Sequence, residues 1–175
     1  MPHSKIYLEQ EDFSKSKFYA NQALNEIRYM IGSGSIAFTE DFEKIVREIY
    51  IAFEVNFGIK TNLYVASQKI VTLKQTQKTH LIRILQEALS NISRHSDATQ
   101  VEIKIVDGID DFRFIICDNG KGFEETEVEN KNQKDAVKHY GLTNIKKQAQ
   151  LIGGNADFIN EGGFSIAITV KDSVR

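Results

Sequence analysis

The sequence contains a single cysteine, Cys117, among its 175 residues. One thiol excludes an internal disulfide framework and is typical of proteins in a reducing compartment. No apolar stretch approaches the roughly 20 residues that a membrane-spanning helix needs, and the first residues lack the basic and then apolar layout of a secretory signal. We therefore expect a cytoplasmic chain without direct membrane contact, although a membrane segment elsewhere in a longer parent protein stays open.

An excess of positive charge is also absent, since the formal net charge is −2 at pH 7. This balance argues against nucleic acid as a partner, because such proteins carry a broad basic surface. An anionic ligand would have to be held locally, by a loop or a helix end. The hydrophobic fraction of 41% and the charged fraction of 26% are ordinary for a globular protein, and the length suits one domain with a real core.

Amphipathic periodicity predicts four helices. They cover about residues 13–31, 39–58, 77–95 and 142–152. The first ends at a Gly-Ser-Gly-Ser linker, residues 32–35. The second begins behind Thr39 and ends near Gly58, which can act as its C-cap. We therefore divide the chain into residues 1–35, an N-terminal helix with its linker, and a domain at residues 36–175.

Alternation of apolar and polar residues predicts five strands. They lie near residues 59–66, 100–106, 112–117, 156–160 and 165–170, with a hairpin turn at residues 107–111. Adjacent strands are joined by short turns, and the helices are partly segregated from the strands. This order predicts an α/β two-layer sandwich, with a mixed, mostly antiparallel sheet and helices on one face.

Three clusters carry candidate chemistry. In the 77–95 helix, Glu87, Asn91 and His95 recur every four residues, a spacing that drifts by only about 40° around the helix axis. They form one polar ridge that could serve a magnesium–phosphate group, with Asn91 as an oxygen ligand and Glu87 orienting or deprotonating a reacting group. Taken alone, the ridge is more typical of a solvated helix edge, because such pairs are common.

The second cluster, Asp118 with Gly120 and Gly122, directly follows a buried strand. Alternate glycines let the backbone approach a flat ligand, and an acid there can accept a hydrogen bond from an exocyclic amine such as that of adenine. A tight strand-ending turn is the alternative.

The third cluster, around Gly141 and Leu142, opens the predicted fourth helix. Its free N–H groups would bind phosphate, unless Thr143 or Asn144 simply caps the helix.

The order of these motifs, E-x-x-x-N, a hairpin, D-x-G-x-G, a polar stretch and then x-G-L on a helix, resembles the histidine-kinase-like ATPase (GHKL) superfamily, which also contains DNA gyrase and MutL. The helix from His80 to Asn91 is most similar to that of sensor histidine kinases of the nitrate- and lipid-sensing type. The resemblance covers roughly residues 39–170. It implies a Bergerat-type ATP-binding fold, ATP and Mg²⁺ as cofactors, and transfer of the γ-phosphate to a histidine outside this chain and then to a response regulator.

Site residues carry over by position. The resemblance places Glu87 as the catalytic carboxylate that activates or orients the reacting group, Asn91 as the magnesium ligand and His95 beside the phosphates. It places Asp118 as the acid that reads adenine, and Gly120 and Gly122 as residues that shape its pocket. Gly141 and Leu142 match the second glycine box, and residues 124–138 the ATP lid. The stretch from Tyr19 to Arg28 resembles the second half of a dimerisation hairpin, so the full-length protein is expected to be a homodimer. An N-terminal helix packed on its own domain is the alternative.

Three departures from the family pattern stand out. His139 replaces a usual glycine, and the 162–165 segment, Gly-Gly-Phe-Ser, replaces the usual Gly-Thr. In addition, none of the four histidines lies in a phosphoacceptor context, so autophosphorylation of this chain is not expected. Two alternatives stay open at this point: an anti-sigma-factor-like serine kinase of the same superfamily, and a degenerate, non-catalytic interaction module.

Overall fold

A computed structural model describes residue 16, residues 41–122 and residues 133–171, with the side chains of residues 133–140 excepted. The compact units are Met1–Gly58 and Ile59–Arg175. Apart from Ser16, which is helical and exposed, the predicted 13–31 helix lies outside the described residues. The predicted boundary near residue 35 lies there too, and both stay predictions.

The first unit contains helix α1, Phe42–Phe57. Its N-cap is Asp41, whose side chain accepts a hydrogen bond from the Glu43 N–H at 3.2 Å. The predicted start behind Thr39 is therefore wrong, because Asp is as good a capping residue as Thr and its carboxylate reaches the first free amides. The predicted C-cap is confirmed: Gly58 has a left-handed φ of 66°, and its N–H donates to the Glu54 carbonyl at 2.8 Å.

The second unit is built on a five-stranded sheet in the order β1-β2-β3-β5-β4. The strands are β1 Lys60–Ala66, β2 Gln100–Asp107, β3 Asp111–Asp118, β4 Gly154–Ile159 and β5 Phe164–Lys171. Only the β1–β2 pair is parallel, and the other three pairs of the sheet are antiparallel. The prediction of a mixed, mostly antiparallel sheet is confirmed.

Two long helices cover one face of this sheet: α2, Gln75–His95, and α3, Gln133–Leu151. They pack on each other, α2 contacts β3, and α3 contacts β4 and β5. Side chains of alternate strand residues are buried on this face, because successive side chains of a strand point to opposite faces. The fully or nearly fully buried ones are Val101, Ile103, Ile105, Phe112, Phe114, Ile116, Ile166, Ile168 and Val170.

The helix α3 begins at Gln133, whereas the sequence pattern predicted a start near Leu142. The 133–140 segment has no regular apolar stripe, but Gln, Lys and Ala all favour the helix intrinsically, and periodicity does not detect such a segment. The last part of the predicted lid is thus helical backbone, while residues 123–132 lie outside the described part of the chain.

A short 3-10 helix, Lys69–Val71, was not predicted. The Asp107 carboxylate accepts hydrogen bonds from the Gln68 and Lys69 amides at 2.6 and 3.1 Å and from the Ser67 hydroxyl. The Lys69 ammonium in turn donates to three carbonyls of the β2–β3 turn at 3.2–3.3 Å. This reciprocal pairing fixes the hairpin turn against the end of β1.

We expect the packing between α2 and the sheet to dominate the stability of the second unit. Leu85 of α2 is 0% exposed, whereas Leu151 of α3 is 60% exposed. Leu85→Ala should lower the free energy of unfolding by about 2–5 kcal/mol, and the matched Leu151→Ala by less than about 0.5 kcal/mol. Urea denaturation followed by circular dichroism measures both, and equal losses would contradict this account of the core.

Candidate functional site

A polar ridge runs along α2 beside its buried stripe, as the sequence predicts. Glu87 and Asn91 are half-buried, and the neighbouring Ala88 and Leu89 are buried. His95 is exposed and is the last residue of the helix. A carboxylate and an amide, both partly withdrawn from water, therefore stand one turn apart on α2.

Gly141 of α3 lies directly against this ridge. A Cβ atom built on Gly141 would lie 2.6 Å from Glu87 Oε1, 3.0 Å from Asn91 Nδ2 and 3.1 Å from Asn91 Oδ1. A glycine inside a helix costs stability relative to alanine, and here its lack of a side chain is what admits the two polar groups. The structure thus brings three sequence-predicted site residues, Glu87, Asn91 and Gly141, to one point.

One part of the prediction for this segment is wrong. Gly141 and Leu142 are interior residues of α3, eight and more positions after its start at Gln133. Interior amides donate to carbonyls one turn back, so these residues do not offer the free amides of a helix N-terminus. Capping by Thr143 or Asn144 is wrong for the same reason. What Gly141 contributes is close contact with α2.

Asp118 ends β3 as a buried carboxylate, 7% exposed. It continues the alternation of buried residues on β3, so it faces the side of the sheet that carries α2 and α3. The Gly120 N–H donates to Asp118 Oδ1 at 2.8 Å, and the Phe164 backbone N–H also donates to the carboxylate. A carboxylate has about four acceptor positions, so capacity remains for a donor from a ligand.

Burial raises the pKa of the Asp118 carboxyl above its ordinary value, and the hydrogen bonds from the Gly120 and Phe164 amides oppose that shift. The cause is desolvation, which disfavours the charged form of an acid. Acids whose pKa is shifted by burial recur at functional sites.

The loop after β3 is bonded to the connection between α2 and β2. The Lys121 N–H donates to the Ser96 carbonyl at 2.8 Å, and Lys121 Nζ lies 2.8 Å from Asp97 Oδ2. Gly120 approaches Ser96 so closely that a Cβ would overlap the Ser96 carbonyl oxygen. The Asn119 side chain accepts from the Thr99 N–H at 2.9 Å. The end of α2 and the loop that follows Asp118 are therefore in direct contact.

The first residues of β5 close the same region. Gly163 lies against the Asp118 backbone, where a Cβ would overlap the Asp118 carbonyl oxygen. Phe164 is the cross-strand neighbour of Asp118. Its ring stacks on Phe158 with 5.9 Å between centroids, and Lys146 Nζ lies 5.2 Å from the centre of the Phe158 ring. The residue beside the buried carboxylate on the neighbouring strand is thus aromatic.

The polar ridge and the buried acid lie on the same side of the sheet. Asn91 precedes Ser96 by five residues, which is about 7.5 Å along a helix axis, and Ser96 contacts Gly120. Gly122, with a left-handed φ of 77°, lies against the Asn160 side chain. Leu142 is half-buried on α3. Lys138 and His139 belong to the part of α3 whose side chains lie outside the described residues.

Sequence reasoning missed three contributors to this region: Ser96, Asn119 and Gly163. Asn119 was visible only as ordinary turn chemistry within Asp-Asn-Gly. Ser96 and Gly163 act through backbone atoms that approach distant residues, and no pattern in the local sequence signals such contacts.

Within the described residues, no three His, Cys, Asp or Glu side chains cluster as a metal-binding group. None of the helices in that part of the chain has the length and apolarity that crossing a bilayer would require.

The raised pKa of Asp118 predicts a pH effect on stability. The folded chain binds this proton more tightly than the unfolded chain does, so ionisation of Asp118 costs stability as pH rises from the ordinary carboxyl pKa of about 3.9 through the raised value. The unaltered chain should therefore gain stability relative to Asp118→Asn, which stays neutral, when pH falls from neutral into this window. Urea denaturation of both at several pH values tests this, and a constant difference would contradict it.

The chain is 40% identical to the sensor histidine kinase LiaS of Bacillus subtilis (strain 168) and 37% identical to the sensor protein VraS of Staphylococcus aureus (strain COL). Each match runs over 92 residues, 53% of this chain and 24% of the relative, so the chain spans about a quarter of these relatives' length.

The fold also matches the ATP binding domain of PrrB from Mycobacterium tuberculosis. The TM-score is 0.55 at 23% identity, over 73% of this chain and 90% of that one. The nitrate- and lipid-sensing subtype stays a prediction. Residues 76–174, more than half of the chain, match the family described as "Histidine kinase-, DNA gyrase B-, and HSP90-like ATPase", and the chain belongs to that family.

Proposed function

We propose that the chain is the ATP-binding catalytic domain of a two-component sensor histidine kinase. The observation that carries this proposal is the arrangement of two polar groups on one side of the sheet. One is the buried carboxylate of Asp118, and the other is the Glu87–Asn91 pair at Gly141. The contact of Ser96 with Gly120 links the two.

The base end of the proposed site is Asp118 with Gly120 and Gly122. The carboxylate would accept a hydrogen bond from the exocyclic amine of adenine. A charge-assisted bond of this kind contributes about 1.5–3 kcal/mol. The glycines would shape this pocket through close packing, Gly120 against the Ser96 carbonyl and Gly122 against the Asn160 side chain. Phe164 is an apolar cross-strand neighbour of Asp118.

The phosphate end is the ridge of α2 with Gly141 and Leu142. The donor set fits magnesium, which prefers oxygen ligands and keeps several of its waters: Asn91 would hold the ion, and the ion would neutralise charge on the phosphates. Glu87 would orient the phosphoacceptor imidazole or take its proton, and His95 would lie beside the phosphates. Glu87 and Asn91 are half-buried, and partial removal from water strengthens such electrostatic interactions.

The proposed reaction moves the γ-phosphoryl group from ATP to a histidine outside this chain. A bond forms between an imidazole nitrogen and the γ-phosphorus, and the bond from that phosphorus to the bridging oxygen breaks with its electron pair left on ADP. The phosphoryl group then passes to an aspartate of a response regulator. We further propose a cytoplasmic location and a homodimeric full-length protein, in which the acceptor helix is presented to the site.

The main test is ATP binding by the 175-residue chain. Isothermal titration calorimetry with Mg-ATP should give binding in the micromolar to millimolar range. Asp118→Asn and Asn91→Ala should each weaken it by about 10- to 100-fold, since each removes a charge-assisted or metal contact.

Matched controls are Asp157→Asn and Asn62→Ala, both at exposed positions. Unchanged affinity in the two site variants would defeat the proposal, and no binding by the unaltered chain would favour the non-catalytic module. Transfer of labelled phosphate to a serine of a partner would favour the serine-kinase alternative.

Gly141→Ala tests the close approach of α3 to the ridge. The added methyl group would meet Glu87 Oε1 and the Asn91 side chain, and both side chains would have to move. We expect Mg-ATP affinity to fall by about tenfold or more, the equivalent of about 1.4 kcal/mol, with little loss of thermal stability, because the displaced atoms are ends of flexible side chains. Gln150→Ala, at an exposed position of the same helix, is the control. Mg-ATP affinity equal to that of the control would contradict this role of Gly141.

A further inference from the structure

The side chain of Asn119 forms a three-point attachment across the end of β3. Its Oδ1 accepts hydrogen bonds from the Thr99 N–H and the Gln100 N–H, both at 2.9 Å. Its Nδ2 donates to Thr99 Oγ1 at 2.9 Å. The backbone adds a fourth bond, from the Asn119 N–H to the Gln100 carbonyl at 3.2 Å. The Asn119 side chain therefore bonds two backbone N–H donors and one hydroxyl acceptor of the segment that begins β2.

The position of Asn119 makes these bonds relevant to its neighbours. Asp118 precedes it and Gly120 follows it, and these two residues are joined by the 2.8 Å bond from the Gly120 N–H to the carboxylate. Thr99 and Gln100 lie just after the end of α2, at the start of β2. The Asn119 attachment therefore sets where Asp118 and Gly120 lie relative to the helix that carries Asn91.

We propose that Asn119 is a positioning residue that aims the Asp118 carboxylate at the exocyclic amine of the bound purine. This inference rests on the proposed role of Asp118 in reading the base. Asn119 itself is exposed, and its side-chain hydrogen bonds are made to Thr99 and Gln100. Its contribution is the direction of the carboxylate, and hydrogen bonds weaken steeply when their angle departs from linearity.

Removal of the Asn119 side chain should affect the selectivity for the base more than the folding of the loop. Seven β2–β3 register pairs from Val101–Asp118 to Asp107–Phe112 remain when the Asn119 side chain is removed, and the Lys121 N–H still bonds the Ser96 carbonyl. The loop would stay folded, while the Asp118–Gly120 turn would lose its lateral support. A misaimed carboxylate discriminates less between a base that donates a hydrogen bond at this point and one that does not.

The experiment compares ATP with inosine triphosphate, which has a carbonyl oxygen in place of the exocyclic amine and so offers Asp118 no donor at that position. The ratio of the two affinities isolates the interaction with the base, since the triphosphate is identical. We expect Asn119→Ala to reduce the ATP preference about tenfold, the size of one charge-assisted hydrogen bond. Affinity for inosine triphosphate and the melting temperature should stay close to those of the unaltered chain.

Asn119→Asp is the conservative variant. Its carboxylate can accept the same two N–H bonds, and the Thr99 hydroxyl can donate where it previously accepted. We expect it to restore most of the preference for ATP. Thr99→Val removes only the bond to Nδ2 and should reduce the preference in the same direction by a smaller factor. Asn155→Ala, at an exposed position of β4, should leave the ratio unchanged.

The outcomes separate the two proposals. If Asp118→Asn abolishes the preference for ATP while Asn119→Ala and Thr99→Val retain it, the positioning role is overturned and the role of Asp118 stands. If Asn119→Ala weakens both nucleotides equally, its effect is on the fold and the positioning role is again overturned. If Asp118→Asn retains the preference, the proposed reading of the base fails and the positioning role fails with it.

Discussion

The contact between the end of α2 and the loop after β3 is the constraint on which the rest of the site depends. The Ser96 carbonyl accepts the Lys121 N–H, and Gly120 lies against that same carbonyl. One segment carries the polar ridge of Glu87 and Asn91, and the other begins with the buried acid. Without this contact, α2 and the loop after β3 could each be well formed, but the distance between the polar ridge and the buried acid would not be fixed.

The Asp118 carboxylate occupies this site at a cost in free energy. Removing a carboxylate from water is unfavourable, and its raised pKa records that cost. Two backbone amides offset part of it. The same dry surroundings strengthen any hydrogen bond that a ligand donates. The rest of the sheet, with its buried Ile and Phe side chains, provides the stability that permits one charged group in this position.

Glycines have an equally direct role, because they set distances between backbones. Gly141 admits two polar side chains of α2 against α3, and Gly163 admits the start of β5 against Asp118. At each point a methyl group would overlap its neighbour, so the glycine determines how closely two elements pack and where the polar groups between them stand. The family match over residues 76–174 covers all of these contacts.

The sequence by itself determined the elements and most of their faces, because periodicity and caps are local: α2, all five strands and the C-cap at Gly58 follow from neighbours a few residues apart. The ridge of Glu87, Asn91 and His95 could be predicted for the same reason, because its residues recur every four positions on one helix. Only the tertiary structure decided that Gly141 lies inside α3 against α2, and that Asn119 bonds Thr99 and Gln100. These are contacts between residues roughly 20 to 50 positions apart, and close packing between such segments leaves no trace in the periodicity of either one.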